Sequence, residues 1–436
     1  MAGPTETRTI RVEQLARVEG EGSLTLLLDG AKVTEARLVI FEPPRLFEAM
    51  LQGRGCVEAP DITARICGIC PVAYQMSACH AVEDALGVTV DGALGDLRRL
   101  LYCGEWIESH VLHMVMLHAP DFLGVHDVAE LARLHPERVR GGLKVKKAGN
   151  ALVALLGGRE IHPVNARVGG FWRVPRRDEL EGLVPMLEAA LGEAEELAAW
   201  AAGFSFPDFS REYELVSLRH PMDYPMNAGR VVSTRGLDFP VSAYNDHIVE
   251  EHVPYSTALH AGVVGRGAFL CGPLARMVNN FDHLPPRAAE LARRLGVTPA
   301  ERNPFRTILV RAVEVVLALG EALRIIAGYV PPKVAQVPLT MRAGVGHAAT
   351  EAPRGVLYHR YVLDAAGGIV QAQIVPPTSQ NQRCIEEDLF ALGDMLAALP
   401  LDEATRRAEH AVRNYDPCIS CSTHFLTLRV VDKALA

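Results

Sequence analysis

The chain has 436 residues, 49% hydrophobic and 22% charged, with 44 lysines and arginines against 52 aspartates and glutamates, a net charge of −8. That composition fits a globular protein with a large core and excludes disordered and fibrous classes. The acidic balance argues against a nucleic-acid or anionic-membrane partner, either of which favours a basic face.

The opening residues, Met1 to Arg8, hold no apolar run behind a basic segment, so no secretory signal is readable and a cytoplasmic, reducing location is expected. From Ser23 to Phe41, alternation around the turn pair Asp29-Gly30 predicts a hairpin. Pro71 then suits a helix start, and a helix is expected over Val72 to Leu86, stopped by Gly87. Apolar residues at three- and four-residue spacing predict further helices over Leu94 to His118, Glu179 to Ala202, Pro286 to Leu295, Phe305 to Tyr329 and Ile385 to Leu399. A second hairpin is expected over Gly355 to Val375, around Ala366-Gly367-Gly368. The most apolar stretch, Ile308 to Val330, is interrupted by Arg311, Glu314, Glu321 and Arg324, so no membrane span is expected. The fold class is mainly α (α+β): a large single domain with a central bundle of long helices and small peripheral hairpins or sheets. No fixed-period repeat is present, and no Gly-x-Gly pair completes a nucleotide-binding fingerprint.

Nine cysteines are an odd count for a disulfide framework, which turns attention to metal binding or catalysis. Four of them fall in two C-x-x-C pairs, Cys67/Cys70 in Arg65-Ile66-Cys67-Gly68-Ile69-Cys70-Pro71 and Cys418/Cys421 in Asp416-Pro417-Cys418-Ile419-Ser420-Cys421-Ser422-Thr423-His424. The first pair sits at a loop-to-helix junction, where the positive helix end favours thiolate. Structural zinc, iron or an iron–sulfur cluster, and a softer catalytic metal all suit four thiolates. Structural zinc usually staples a small local fold, whereas these pairs bracket almost the whole chain, which favours a catalytic centre. Cys56, Cys79, Cys103, Cys271 and Cys384 read as small buried hydrophobes, and His110, His113 and His118 are assigned to no metal.

The two cysteine runs resemble the paired signatures of the large, nickel-bearing subunit of nickel–iron hydrogenases. Arg17-Val18-Glu19-Gly20-Glu21-Gly22, His162-Pro163-Val164-Asn165 with Gly169-Gly170, and Glu351-Ala352-Pro353-Arg354-Gly355 are similar to further motifs of that family, so the resemblance spans nearly the whole chain. Among its members, the soluble cytoplasmic NAD(P)-linked group is the most similar. The resemblance implies the large-subunit fold and reversible heterolytic cleavage of H2. It implies nickel on Cys67, Cys70, Cys418 and Cys421, with Cys70 and Cys421 bridging to an iron that carries carbon monoxide and cyanide. Arg354 and Thr378 would donate to the cyanides, with Pro353 and Pro377 packing around them. Cys418 would serve as the base, Glu19 would carry the proton away, and Asp416 would fix the Arg354 guanidinium.

The resemblance also implies magnesium at Glu48, the Ile374 carbonyl and the His424 side chain. It divides the chain into a catalytic domain, 1–424, and a maturation tail, 425–436, that a dedicated protease removes after nickel insertion. The expected partners are an iron–sulfur small subunit, flavin and NAD(P) diaphorase subunits, and the maturation protease with nickel-insertion proteins; no iron–sulfur cluster or nucleotide is expected in this chain. Two positions depart from patterns seen in relatives: Thr378-Ser379-Gln380-Asn381, and Ser109 where an acid is found in some. The competing functions are a scaffold related to the quinone-site subunit of respiratory complex I and a structural zinc protein.

Overall fold

The computed structural model describes residues 7–29, 32–43 and 46–423. Four long helices, Gly92–Val111, Pro136–Gly157, Val184–Ala202 and Thr307–Gly328, pack on one another as a central bundle. Their facing sides bury Leu100, Trp106, Val145, Leu152, Leu191, Leu309 and Val316, and removal of this apolar surface from water is the main force holding the bundle. The helix Pro71–Leu86 leans against the strand Gly344–Ala352. Their approach is close enough that a Cβ on Gly346 would lie 1.9 Å from the Ala81 carbonyl oxygen, so only glycine fits.

Both expected hairpins form, and each gains a third antiparallel strand. Gly22–Asp29 pairs with Lys32–Ile40 and also with Thr7–Val12; Gly355–Leu363 pairs with Ile369–Val375 and also with Gly344–Ala352. A small four-stranded sheet and two strand pairs complete the periphery. No described helix is long and apolar enough to cross a membrane.

Several helices differ from their expected bounds. The segment expected over Leu94 to His118 is α-helical to Val111 and continues as a π-helical turn over Leu112–His118. The segment expected to begin at Ile385 begins at Pro377, because its first turn, Thr378 to Gln382, is polar yet buried and so carries no apolar spacing. There Gln380 Nε2 donates to the Val356 carbonyl at 2.6 Å, and the Asn381 amide exchanges two bonds with the Cys271 backbone. The helices Pro136–Gly157 and Leu401–Arg413 were not expected at all. In the first, Arg138, Arg140, Lys144, Lys146 and Lys147 interrupt the apolar residues, and Gly141-Gly142 lowers helix propensity.

Candidate metal centre

The first cysteine pair is set by a helix start. Cys67 Sγ accepts from the amides of Ile69 at 3.3 Å and Cys70 at 3.4 Å, and the helix Pro71–Leu86 follows at once. Its first free amides, Val72 and Ala73, donate to the buried Glu105 carboxylate at 2.6 and 3.1 Å, which satisfies helix-end donors that would otherwise be orphaned. Burial and the nearby Glu108 push the Glu105 carboxyl well up.

The second pair follows the helix Leu401–Arg413. Asp416 turns the chain with φ of 52°, in the left-handed region, and a short helical turn, Ile419–Ser422, places Cys421 beside Cys418. The four sulfurs lie within 4.8 Å of one another, and all four residues are buried. Cys67 to Cys418 is 3.3 Å, Cys70 to Cys421 is 3.9 Å and Cys418 to Cys421 is 2.8 Å. Metal–sulfur bonds of about 2.3 Å set the sulfurs of a tetrahedron about 3.8 Å apart. The Cys70–Cys421 distance fits such a centre, while Cys67 and Cys418 would part by about 0.5 Å and Cys418 and Cys421 by about 1 Å to admit it.

Without a metal these thiols cannot all ionise. Contact with Cys421 and Cys67 pushes Cys418 well up, while bonding from Cys418 and Cys421 holds Cys67 well below the usual thiol range. A soft cation that stabilises thiolate removes that conflict. Tyr74, Ala352, Arg354, Pro377 and Thr378 line the cavity above the sulfurs. The Tyr74 hydroxyl is buried with no hydrogen-bond partner, a position the sequence did not single out.

The N-terminal motif comes to the same point. The Glu19 carbonyl accepts from the Ile419 amide at 2.9 Å, and Glu19 Oε2 lies 3.2 Å from Cys418 Sγ and accepts from the Ser420 amide at 3.0 Å. Gly20 permits this with φ of 88°; a Cβ there would lie 2.8 Å from the Ser420 nitrogen. Ser420 Oγ donates to Glu42 Oε2 at 2.8 Å, which brings in a second carboxylate that no motif flagged.

Arg354 is buried, with Nε donating to the Asp416 carbonyl at 2.7 Å, Nη2 to Asp416 Oδ1 at 3.0 Å and Nη1 to Ser109 Oγ at 3.4 Å. Burial opposes its charge, but Asp416 and the neighbouring thiolates hold its pKa well above the ordinary arginine value. Thr378 Oγ1 accepts from the Cys418 amide at 3.0 Å. Pro353 sits beside the cavity rather than in its lining, and its carbonyl accepts from Arg276 Nη2 at 3.0 Å.

The expected magnesium residues fall on a cleft of about 330 Å³ lined by Glu48, Ile374, Ser420 and Thr423, among others. Glu48 Oε1 accepts from the Ile374 amide at 2.7 Å, and His424 lies outside the described residues, as does the expected tail, 425–436. Half-buried Glu250, raised to about 8 by desolvation and by Glu48, is a further carboxyl of this region that the sequence did not reveal.

His110, His113 and His118 are buried and hydrogen-bonded, with Nε2 of His113 on the Arg413 carbonyl at 2.8 Å and of His118 on Asn414 Oδ1 at 3.1 Å. His118, Asp121 and His410 place possible ligand atoms within 4.8 Å. The Asp121 carboxylate, however, is taken by Arg17 at 2.6 Å and by Arg413 at 2.6 and 2.7 Å, so the group is an ion-pair cluster. All nine cysteines are free and buried, and among the described residues only Cys67, Cys70, Cys418 and Cys421 form a cysteine cluster.

Sulfhydrogenase 1 subunit alpha of Pyrococcus furiosus is 33% identical over 96% of this chain and 98% of its own length. The chain belongs to the nickel-dependent hydrogenase family. The family's profile, described as nickel-dependent hydrogenase, matches residues 45–138 and 308–424, which contain all four clustered cysteines. A second hydrogenase, the NAD-reducing hydrogenase HoxS subunit beta of Cupriavidus necator, is 27% identical over 96% of this chain and 95% of its own. The hydrogenase fold is equally plain: a crystal structure of an NAD+-reducing NiFe hydrogenase in the H2-reduced state superposes with a TM-score of 0.85 at 28% identity, over 96% of this chain and 100% of that one. As a hydrogenase large subunit the chain is a catalytic component, an oxidoreductase acting on H2, and its relatives are parts of multi-subunit enzymes. Neither a structural zinc protein nor a complex I scaffold is favoured by these matches.

Proposed function

We propose that this hydrogenase subunit interconverts H2 with protons and electrons at a nickel–iron centre held by Cys67, Cys70, Cys418 and Cys421, with Cys70 and Cys421 shared between the metals. The observation that carries this reading is the convergence of four buried sulfurs and the Glu19 carboxylate on one cavity. When bound, the nickel–iron pair with its carbon monoxide and cyanide ligands supplies the site for heterolytic H2 cleavage, and tetrathiolate softness favours nickel there. The chain's own residues handle the proton and the field. The Cys418 thiol donates its proton to Glu19 Oε2 across 3.2 Å, and Ser420 links that carboxylate to Glu42 by its amide and its hydroxyl. Arg354, fixed by Asp416, presents permanent positive charge to the cavity. Arg354 and Thr378 line that cavity, which supports them as donors to cyanide nitrogens; Pro377 in the lining and Pro353 beside it would exclude water around them.

Magnesium is proposed at Glu48, the Ile374 carbonyl and His424, where an oxygen-rich set with retained water suits a hard cation. Electrons would leave to an iron–sulfur small subunit and then through diaphorase subunits to NAD(P), a route supported by the NAD-reducing relative. That partner class and the net charge of −8 support a cytoplasmic location. The end of the family match at residue 424 supports 425–436 as a tail removed by the maturation protease. Glu19→Gln in the complete enzyme tests the proton step: nickel and iron content should stay as in the wild type while H/D exchange slows by about a hundred-fold or more. Full exchange in that variant would remove Glu19 from the proton route.

A further inference from the structure

Behind Asp416 lies a second guanidinium. Arg311, from the helix Thr307–Gly328, is fully buried, and its Nη1 lies 3.3 Å from Asp416 Oδ2 and 3.1 Å from His110 Nδ1. His110 Nε2 lies 3.0 Å from Glu314 Oε2. Arginine can only donate, so His110 Nδ1 accepts and its proton sits on Nε2, facing the Glu314 carboxylate. Glu314 is in turn gripped by Arg276, with Nε at 2.8 Å and Nη2 at 2.9 Å, and Arg276 reaches Glu351 Oε2 at 3.0 Å. Every side chain in this line is buried. The line runs from Arg354 through Asp416, Arg311, His110, Glu314 and Arg276 to Glu351, and its links at Asp416 Oδ2 and His110 Nε2 are ion-pair approaches rather than hydrogen bonds.

Burying this many charges is costly and does little for stability, so their retention calls for another explanation. Arg311 sharpens the question, because its Nε and Nη2 are buried without hydrogen-bond partners. Its Nη1 alone is engaged, and it points at the free side of the Asp416 carboxylate. Asp416 itself holds a left-handed backbone, a conformation that persists only where the surroundings enforce it. Oδ1 accepts from Arg354, and Oδ2 makes no hydrogen bond but lies in ion-pair range of Arg311, so rotation of the carboxylate would break one ion pair. On its other side Arg354 Nη1 donates to the neutral Ser109 hydroxyl at 3.4 Å.

We infer that Arg311, held by His110, is a positioning residue that clamps Asp416 and thereby fixes the orientation of the Arg354 guanidinium over the metal cavity. The inference rests on the hydrogenase reading of that cavity. Arg311 touches no reacting atom, and the one carboxylate between two guanidiniums sets where the Arg354 charge sits.

The test uses the complete enzyme, purified anaerobically, with Arg311→Met, Arg311→Lys, His110→Leu and His110→Gln. Nickel and iron content, kcat and KM for H2 with an artificial electron acceptor, and the infrared stretches of the iron-bound diatomic ligands are measured for each. Arg311→Met should keep both metals, lower kcat by about a hundred-fold, as a misplacement of about 1 Å does, and shift the cyanide stretches. Arg311→Lys, which restores a cation, should recover part of the loss and bring the stretches back towards the wild type. If Arg311→Met fails to fold, the histidine pair decides: Gln preserves an acceptor for Arg311 and a donor for Glu314, so His110→Gln should stay closer to the wild type in kcat and spectrum than His110→Leu. Metal-loaded Arg311→Met with wild-type kcat and unshifted stretches would overturn the inference, as would identical behaviour of His110→Leu and His110→Gln. A wild-type enzyme with no such stretches and no H2 turnover would instead defeat the hydrogenase reading itself.

Discussion

At the residue scale, the chemistry rests on a few atoms whose neighbours were spread across the sequence. Cys421 lies 3.9 Å from Cys70 and 2.8 Å from Cys418, so Cys421→Ser replaces the soft donor proposed there with a hard, neutral hydroxyl. Nickel retention should be lost, and metal analysis of the purified chain checks it; a fully loaded, active serine variant would exclude Cys421 as a ligand. Gly20→Ala should keep nickel but slow H/D exchange, because the added methyl and the positive φ push the Glu19 segment away from Ser420. The four cysteines, Glu19, Arg354 and Asp416 were legible because they sit in short, ordered motifs. Arg311, Glu42, Tyr74 and Glu105 were not, since each is an ordinary residue in an ordinary helix or loop until the fold brings it to the site.

Elements position these atoms through their ends. The helix Pro71–Leu86 is pinned by Glu105, so Glu105→Leu leaves two buried amides unpaired at about 1–3 kcal/mol each and should lower both the unfolding midpoint and nickel loading. The helix Leu401–Arg413, which delivers the second cysteine pair, is seated by His410 between Phe122 and Phe305, at ring distances of 4.5 and 4.8 Å. Burial, with Arg413 adding to it and Asp121 opposing, holds the His410 pKa down to about 3. The ring is therefore neutral in the fold but takes a proton near pH 6.5 when the chain unfolds. Its contribution is complete above pH 6.5 and is lost as pH falls towards 3, amounting to about 2 kcal/mol at pH 5. His410→Phe keeps the packing and removes the proton, so between pH 7 and 5 its stability should fall less than that of the wild type by this amount; parallel curves would contradict the assignment. Apolar periodicity revealed the bundle helices Gly92–Val111, Val184–Ala202 and Thr307–Gly328. It could not reveal Pro136–Gly157, whose buried valines and leucines are interspersed with glycines and interrupted by basic residues, or the amide-rich first turn of Pro377–Ala391.

For the whole molecule, the architecture brings Glu19 and the Cys418–Cys421 turn, from opposite ends of the described chain, to one centre. Glu19 bridges to Cys418 across 399 residues of chain, and Asp121 ties Arg17 near the start to Arg413 near the end. Asp121→Asn would leave two guanidiniums facing a neutral amide, one of them almost wholly buried, and should cost about 3–5 kcal/mol in unfolding measurements. The same closure explains why a single pair of C-x-x-C runs, 351 residues apart, was informative: a metal reached from both ends makes the intervening bundle a scaffold rather than a separate domain. The most direct test of the central claim is an infrared spectrum of the complex purified anaerobically from its own host. Iron-bound carbon monoxide and cyanide stretches, with nickel at one per chain, are the predicted result; a spectrum without them from a chain carrying one zinc instead would contradict the account.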